Sequence, residues 1–354
     1  MSSRAGQPRS PQDRSTIGIS LGDPAGIGPE IVVRALAARP QLSLRVYGDP
    51  AILAATAGRL GLAPPPASRV QAVPARGEII PGRPNLAAAH AQLEALQAAT
   101  DDALAGRISA LCTAPISKDW IARAGFTFPG HTEYLAHRAG TDDFAMMLAG
   151  PRLRVVLATT HMALADVPRL LRASDVTRAS LLAARALLRD FGVGRARVAV
   201  AALNPHAGEA GRFGDEEARL VVPGIEAARA RLAEERLPAD ISGPHVPDSV
   251  FRQAADGQYD AVIALYHDQG LIPVKLLHFD EAVNVTLGLP FVRTSPDHGT
   301  AYGIAGQGRA NPGSFLTALD LAARLSSQPG RAGTIEQPAP TRPRAAGQTG
   351  ATKT

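Results

Sequence analysis

Short apolar runs alternate with longer amphipathic segments along most of this 354-residue chain, the pattern expected of strands and helices taken in turn. Strands are expected over residues 17–21, 42–47, 110–113, 154–159, 197–203 and 261–266. Helices are expected over 29–38, 51–60, 87–105, 179–190, 216–235 and 313–325. Residues 62–85 are rich in proline and fit neither period. This alternation predicts an α/β fold, a mostly parallel sheet with helices on both faces. Ligands of such sheets sit beyond the carboxyl ends of the strands.

Composition sharpens the picture in two places. Aromatic residues are only 4% of the chain, so aliphatic side chains and alanine must fill the core, as suits buried parallel strands. The two ends, residues 1–14 and 328–354, are rich in Pro, Arg, Ser, Gly and Thr. They carry too little apolar surface to offset the entropy of ordering and are expected to be disordered tails.

The formal charge of +5 first points towards nucleic acid, but its location does not. The tails carry a net +2 and +3, which leaves the body neutral and without the basic stripe that counterion release requires. The single cysteine, Cys112, excludes an internal disulfide and a thiolate metal cluster. It lies in an apolar run and is expected to be buried. No apolar stretch is long enough to span a bilayer and the amino terminus lacks a hydrophobic signal core, so a cytoplasmic protein without a membrane partner is expected.

The chemistry concentrates where strands end. Three apolar runs lead into a histidine each: His161 after 155–160, His206 after 198–205 and His267 after 262–266. A lone histidine at such a place often caps the strand or bonds backbone. Three at one topological position could converge on a divalent cation with an open coordination site, within a subunit or across an interface. Asp268 could orient the His267 ring.

Beyond it, Lys275, Asn284 and Arg293 interrupt apolar stretches, as charge brought inward to meet an anion would do. Gly299, Gly303, Gly306, Gly308 and Gly313 then crowd one short span, which would let backbone amides approach a phosphate-bearing ligand. The earlier run 22–30 (GDPAGIGPE) follows a strand and opens a helix, but it lacks the GxGxxG spacing of a dinucleotide loop and reads as a tight structural turn.

With TAPISK at 113–118, GHTEYL at 130–135, TTHMAL at 159–164, NPHAGE at 204–209 and YHDQG at 266–270, the chain resembles the 4-hydroxythreonine-4-phosphate dehydrogenase family over residues 16–326. The resemblance implies a two-domain fold like that of isocitrate and isopropylmalate dehydrogenases. Residues 15–126 plus 303–327 would form the first domain, and 127–302 the second. It implies a homodimer with the active site at the interface and one divalent metal per subunit (zinc, magnesium or cobalt) held by His161, His206 and His267. Substrate contacts fall on His131, Thr132, Lys275, Asn284 and Arg293, with Lys275 and Asp248 as candidate catalytic groups.

Gly299, Thr300, Ile304 and Gly306 match the nucleotide loop of the wider group. That loop commonly has an acid before Ile-Ala-Gly, where Gly303 stands here, so the choice between NAD and NADP stays open. The implied substrate is 4-phosphohydroxy-L-threonine. Phospho-threonate or phospho-erythronate, a cyclic dihydrodiol, and a metal-dependent hydrolysis of a phosphorylated metabolite are the alternatives.

Overall fold

The computed structural model describes residues 16–331. The expectation of disordered tails falls almost entirely outside the described residues. Inside them, Pro329–Arg331 forms a 3-10 turn, so ordered structure continues past residue 327. Gly330 lies against the backbone of Arg189, at the end of a long helix.

Eleven strands form one sheet. They are β1 Ile17–Ser20, β2 Leu44–Gly48, β3 Val70–Ala72, β4 Ala110–Thr113, β5 Ala145–Ala149, β6 Arg154–Leu157, β7 Ala196–Ala201, β8 Ala239–His245, β9 Ala261–Ala264, β10 Val283–Leu287 and β11 Val292–Pro296. The helices are α1 Gly28–Ala38, α2 Pro50–Arg59, α3 Leu86–Leu104, α4 Lys118–Arg123, α5 His131–Ala139, α6 Val167–Leu170, α7 Ala173–Arg189, α8 Val222–Glu234, α9 Pro247–Ala255, α10 His267–His278 and α11 Gly313–Ser326.

The order across the sheet is β3-β2-β1-β4-β11-β10-β5-β6-β9-β7-β8. Pairing is parallel except at three central junctions, β11–β10, β10–β5 and β5–β6. The sheet is therefore two parallel blocks stitched by antiparallel strands, and β11 returns the chain to the first block beside β4. The stitch sets the site's position, because β10 and β11 bring Asn284 and Arg293 to the middle of the sheet.

Local chemistry explains most boundaries. β1 and β4 are buried at every position, as expected of strands covered on both faces. Asp49 caps α2 by accepting from Ala51 N at 2.7 Å, with Pro50 next in a position that needs no N–H. Asn85 caps α3 in the same way, through Ala88 N at 2.8 Å. Gly140 stops α5 in the left-handed conformation, φ +68°.

Helix α10 defeats local reasoning. It contains Gly270 and Pro273, both unfavourable inside a helix, in an apolar run for which the sequence predicts no helix. Two contacts hold it as a helix. Gln269 Oε1 accepts from Leu265 N at 2.7 Å while its Nε2 donates to Ala202 O at 2.7 Å. Gly270 lets the helix settle directly on Val155, Leu157 and Ala264, which a Cβ would strike.

Candidate active site

A cavity of about 340 Å³ opens above β10 and β11, lined by Thr113, Lys118, His131, Thr132, Glu133, His161, Asn284, Arg293, Ser295 and His298 among others. Arg293 forms its floor and is 3% exposed. Its guanidinium donates to Thr286 Oγ1 at 3.1 Å and Thr113 Oγ1 at 2.8 Å. No carboxylate pairs with it among the described residues. Burial pushes its pKa down to about 10, opposed by Cys112 and the Glu133 carboxylate, so it is still a cation at neutral pH.

Nine buried side-chain polar atoms lack a hydrogen-bond partner among the described residues, and four of them belong to this cavity: His131 Nε2, Asn284 Oδ1, Arg293 Nε and His298 Nε2. Native interiors pair nearly all such groups. Their concentration in one place is the pattern of a site that a polar ligand would complete. Burial, with Arg293 and Lys118 nearby, holds the His131 imidazole well below its usual pKa, as a neutral ring. Thr132 is buried beside it, with Oγ1 3.4 Å from Thr286 Oγ1. Both begin α5, where the GHTE motif turns from loop to helix.

His161, His206 and His267 follow β6, β7 and β9, which lie side by side and parallel, so all three emerge at one edge of the sheet. His161 and His267 face each other with ring centroids 5.5 Å apart. His267 Nδ1 is 2.7 Å from Asp268 Oδ1, which leaves Nε2 for a ligand and fixes the ring. Burial, Lys118 and His267 lower the His161 pKa, favouring the neutral form that a metal requires.

His206 does not join this pair. Its neighbour is Phe213, at 6.2 Å, and no group of three or more His, Cys, Asp or Glu side chains could hold a metal among the described residues. The donors of one chain thus fit two positions of a metal site and leave the set unfinished. The turn carrying His206 is built with care nonetheless. His206, Ala207, Glu209 and Ala210 all have positive φ, between +42° and +57°, a costly conformation without glycine. Buried Glu217 supports it by accepting from Leu203 N at 2.9 Å and Asn204 N at 2.8 Å.

Two other expected residues sit at the rim or beyond. Lys275 Nζ lies 2.9 Å from Asp297 Oδ2, and Asp297 falls between the lining residues Pro296 and His298. Asp248 is exposed in the first turn of α9, a helix that approaches the 205–208 turn, and it lines neither this cavity nor the one beside His267.

The glycine-rich loop is tied to the 22–34 segment. Thr300 O accepts from Ile27 N at 2.9 Å, and a Cβ on Gly26 would stand 2.8 Å from that oxygen. Gly306 has φ +79°, and its N–H donates to Glu30 Oε1 at 2.5 Å, so that amide is already committed inside the protein. Ile304 packs against the main core. Gly299 and Gly303 differ: nothing lies within 4 Å of the place a Cβ would take, so their backbone is open to close approach by a ligand. Gly299 also lines the cavity. The 22–30 run is therefore a structural turn that clamps this loop.

Comparison with known proteins decides the family. The model described as "Pyridoxal phosphate biosynthetic protein PdxA" matches residues 32–322. The chain belongs to the PdxA family. A Desulfosudis oleivorans relative named 4-hydroxythreonine-4-phosphate dehydrogenase is 48% identical over 327 residues, 87% of this chain and 95% of that one. One of the same name from Erythrobacter litoralis is 43% identical over 91% of this chain and 98% of its own. The solved 4-hydroxythreonine-4-phosphate dehydrogenase of Klebsiella pneumoniae superposes with a TM-score of 0.81 at 38% identity, covering 89% of this chain and 98% of that one. A terephthalate 1,2-cis-dihydrodiol dehydrogenase from Burkholderia xenovorans LB400 superposes at 0.65 with 31% identity, over 88% and 98%.

Sequence reasoning left Lys118, Glu133, Asp297 and Glu217 of this PdxA-family chain without roles. The first two lay inside the TAPISK and GHTEYL motifs, so the signal was present. Glu217 had none, since its partners become visible only when the 204 turn is folded against the 217–221 helical turn that leads into α8. No helix of the described residues is long and apolar enough to cross a membrane.

Proposed function

We propose that this PdxA-family chain oxidises 4-phosphohydroxy-L-threonine at C3, with NAD or NADP as acceptor and a divalent metal as auxiliary. The product, 2-amino-3-oxo-4-(phosphooxy)butanoate, is a β-keto acid that loses carbon dioxide to give 3-amino-2-oxopropyl phosphate. The observation that carries this reading is Arg293, a buried guanidinium without a carboxylate, on the floor of a cavity that is also lined by His161, one of the two facing histidines. Desolvating such a cation is costly unless an anion completes it, and a phosphorylated amino acid brings two.

The chain's own groups divide the work. Arg293, Asn284, His131 and Thr132 grip the substrate's anionic end, whose binding energy holds C3 in place. His161 and His267 are two ligands of the metal, which when bound supplies Lewis acidity for the alcohol and for the later carbanion. The open backbone at Gly299 and Gly303, with Thr300, would receive the coenzyme, which when bound would supply a hydride acceptor. Ile304 and Gly306 support that surface from beneath. Lys275, set by Asp297, and Asp248 are the groups offered for proton transfer.

The missing third ligand supports a homodimer. Ile272 and Leu276 on α10, and Phe279 directly after it, are 66%, 83% and 75% exposed, at the spacing of a helix stripe. Leu164, 67% exposed, lines the cavity beside His161 and His267. A second copy docked there would cover it and bring its own His206 and Asp248, two residues that lie on the same side of the fold and away from their own cavity.

Substrate-dependent NADH or NADPH formation, with and without a chelator, tests the reading directly. Turnover of 4-phosphohydroxy-L-threonine that the chelator abolishes is expected. Turnover only with phospho-threonate or a dihydrodiol would move the substrate, and phosphate release without coenzyme would replace the reaction by hydrolysis. Leu276→Glu should yield monomers that bind metal far more weakly; a monomer of full metal affinity would overturn the shared site.

A further inference from the structure

The least expected charge near the site is Asp23, which is 0% exposed. Its carboxylate accepts from Ala25 N at 2.9 Å, from the Tyr302 hydroxyl at 2.5 Å and from Gln92 Nε2 at 3.4 Å. No Lys, Arg or His side chain is paired with it among the described residues. A carboxylate sealed from water without a cation is expensive even when hydrogen-bonded, and an apolar residue would fill a mere turn at less cost.

What the carboxylate joins is informative. Tyr302 lies 279 positions away, in the glycine-rich loop, directly after Ala301, whose φ of +45° is disfavoured for any residue with a Cβ. Without a tie at Tyr302 nothing in that dipeptide's own preferences would keep the loop in this shape. On its other side, Gln92 Oε1 accepts from Ser117 N at 3.0 Å. Ser117 caps α4, whose first residue, Lys118, lines the cavity. One buried carboxylate thus grips the coenzyme loop and the cavity rim together. Among the other anchors, Ile27 N to Thr300 O at 2.9 Å holds the start of the loop, and Glu30 to Gly306 with Arg34 to Gly308 O at 2.7 Å hold its far half; between them Asp23 ties the Tyr302 side chain.

We infer that Asp23 and Tyr302 are positioning residues that hold the open 299–303 backbone in the form that receives the coenzyme, in register with the substrate cavity. This rests on the dehydrogenase reading above. Burial and the neighbouring carboxylate push the Tyr302 phenol up to about 12, so the hydroxyl keeps its proton and donates throughout the working range.

Tyr302→Phe removes one oxygen from a half-buried ring and should leave the fold intact. In the full-length enzyme, calorimetric titration with NAD and with NADP should show Kd raised about tenfold, the loss of one charge-assisted hydrogen bond. Without any ligand, amide hydrogen exchange at 299–303 should quicken, while the KM of the phosphorylated substrate stays within about twofold of wild type. Asp23→Asn should reproduce both effects, and if it fails to fold the tyrosine variant decides alone. Wild-type coenzyme affinity together with unchanged exchange in Tyr302→Phe overturns the inference. A wild-type enzyme that binds neither coenzyme instead sinks the dehydrogenase reading on which it stands.

Discussion

The cavity floor and the loop beside it are neighbours in the chain, yet they treat polar groups in opposite ways. Arg293, Asn284, His131 and His298 each keep a buried polar atom unpaired. A few residues on, Glu30 takes the N–H of Gly306 at 2.5 Å and that of Ala310 at 3.5 Å, and Asp23 takes three donors. The first region is left incomplete for a ligand to finish; the second is finished from within and acts as scaffold. Preorganised sites need both, since a binding surface is only as accurate as the shell that supports it.

Three substitutions or conditions would break or sharpen that contrast. The largest effect is expected from Arg293→Met, which keeps an unbranched apolar stem and removes the guanidinium and its charge. The kcat/KM should fall about a hundredfold to a thousandfold, as when one partner of a desolvated charged contact is lost. The thermal midpoint should hold or rise, because an unpaired buried cation is replaced by an apolar side chain. A midpoint several degrees lower would show Arg293 to be scaffold after all, and the contrast would fail.

Glu30→Ala should behave in reverse. It strips the partner from two backbone donors, so stability should drop by about 2–3 kcal/mol in chemical denaturation, while substrate KM barely moves. An unchanged denaturation midpoint would argue that the loop needs no such support.

A smaller effect is expected from pH. The His131 ring is neutral when folded, with its pKa depressed by burial, and protonates near the usual 6.5 only when unfolded. The unfolded state therefore gains a proton first as pH falls, and folded stability should decline below about 6.5. His131→Asn removes the titrating ring, so its denaturation midpoint should change less steeply between pH 7 and pH 5 than the wild type's. Parallel slopes for the two proteins would assign the acid sensitivity elsewhere.

Much of this was legible in the residues. Helix α3 was expected over 87–105 and runs Leu86–Leu104, and β4 runs Ala110–Thr113 as expected; both are strongly patterned and long or apolar enough to be unambiguous. The three strand-end histidines were legible because each followed a run of buried aliphatic residues. Helix α10, strand β5 and the antiparallel stitch were not. Gly270 and Pro273 argue against a helix locally, and the direction of a strand leaves no mark in its own composition.

Composition and motif settled the fold class, the family and the identities of the polar groups, because those follow from which side chains are present and how apolar positions recur. Their partnership did not follow. That His161 meets His267 while His206 turns away, that the Arg293 Nε keeps no partner and the Asp23 carboxylate gathers three donors, depends on strand order and on contacts between residues far apart in the chain. Such long-range pairings are chosen by packing and desolvation across the whole sheet, and no short stretch of sequence contains them.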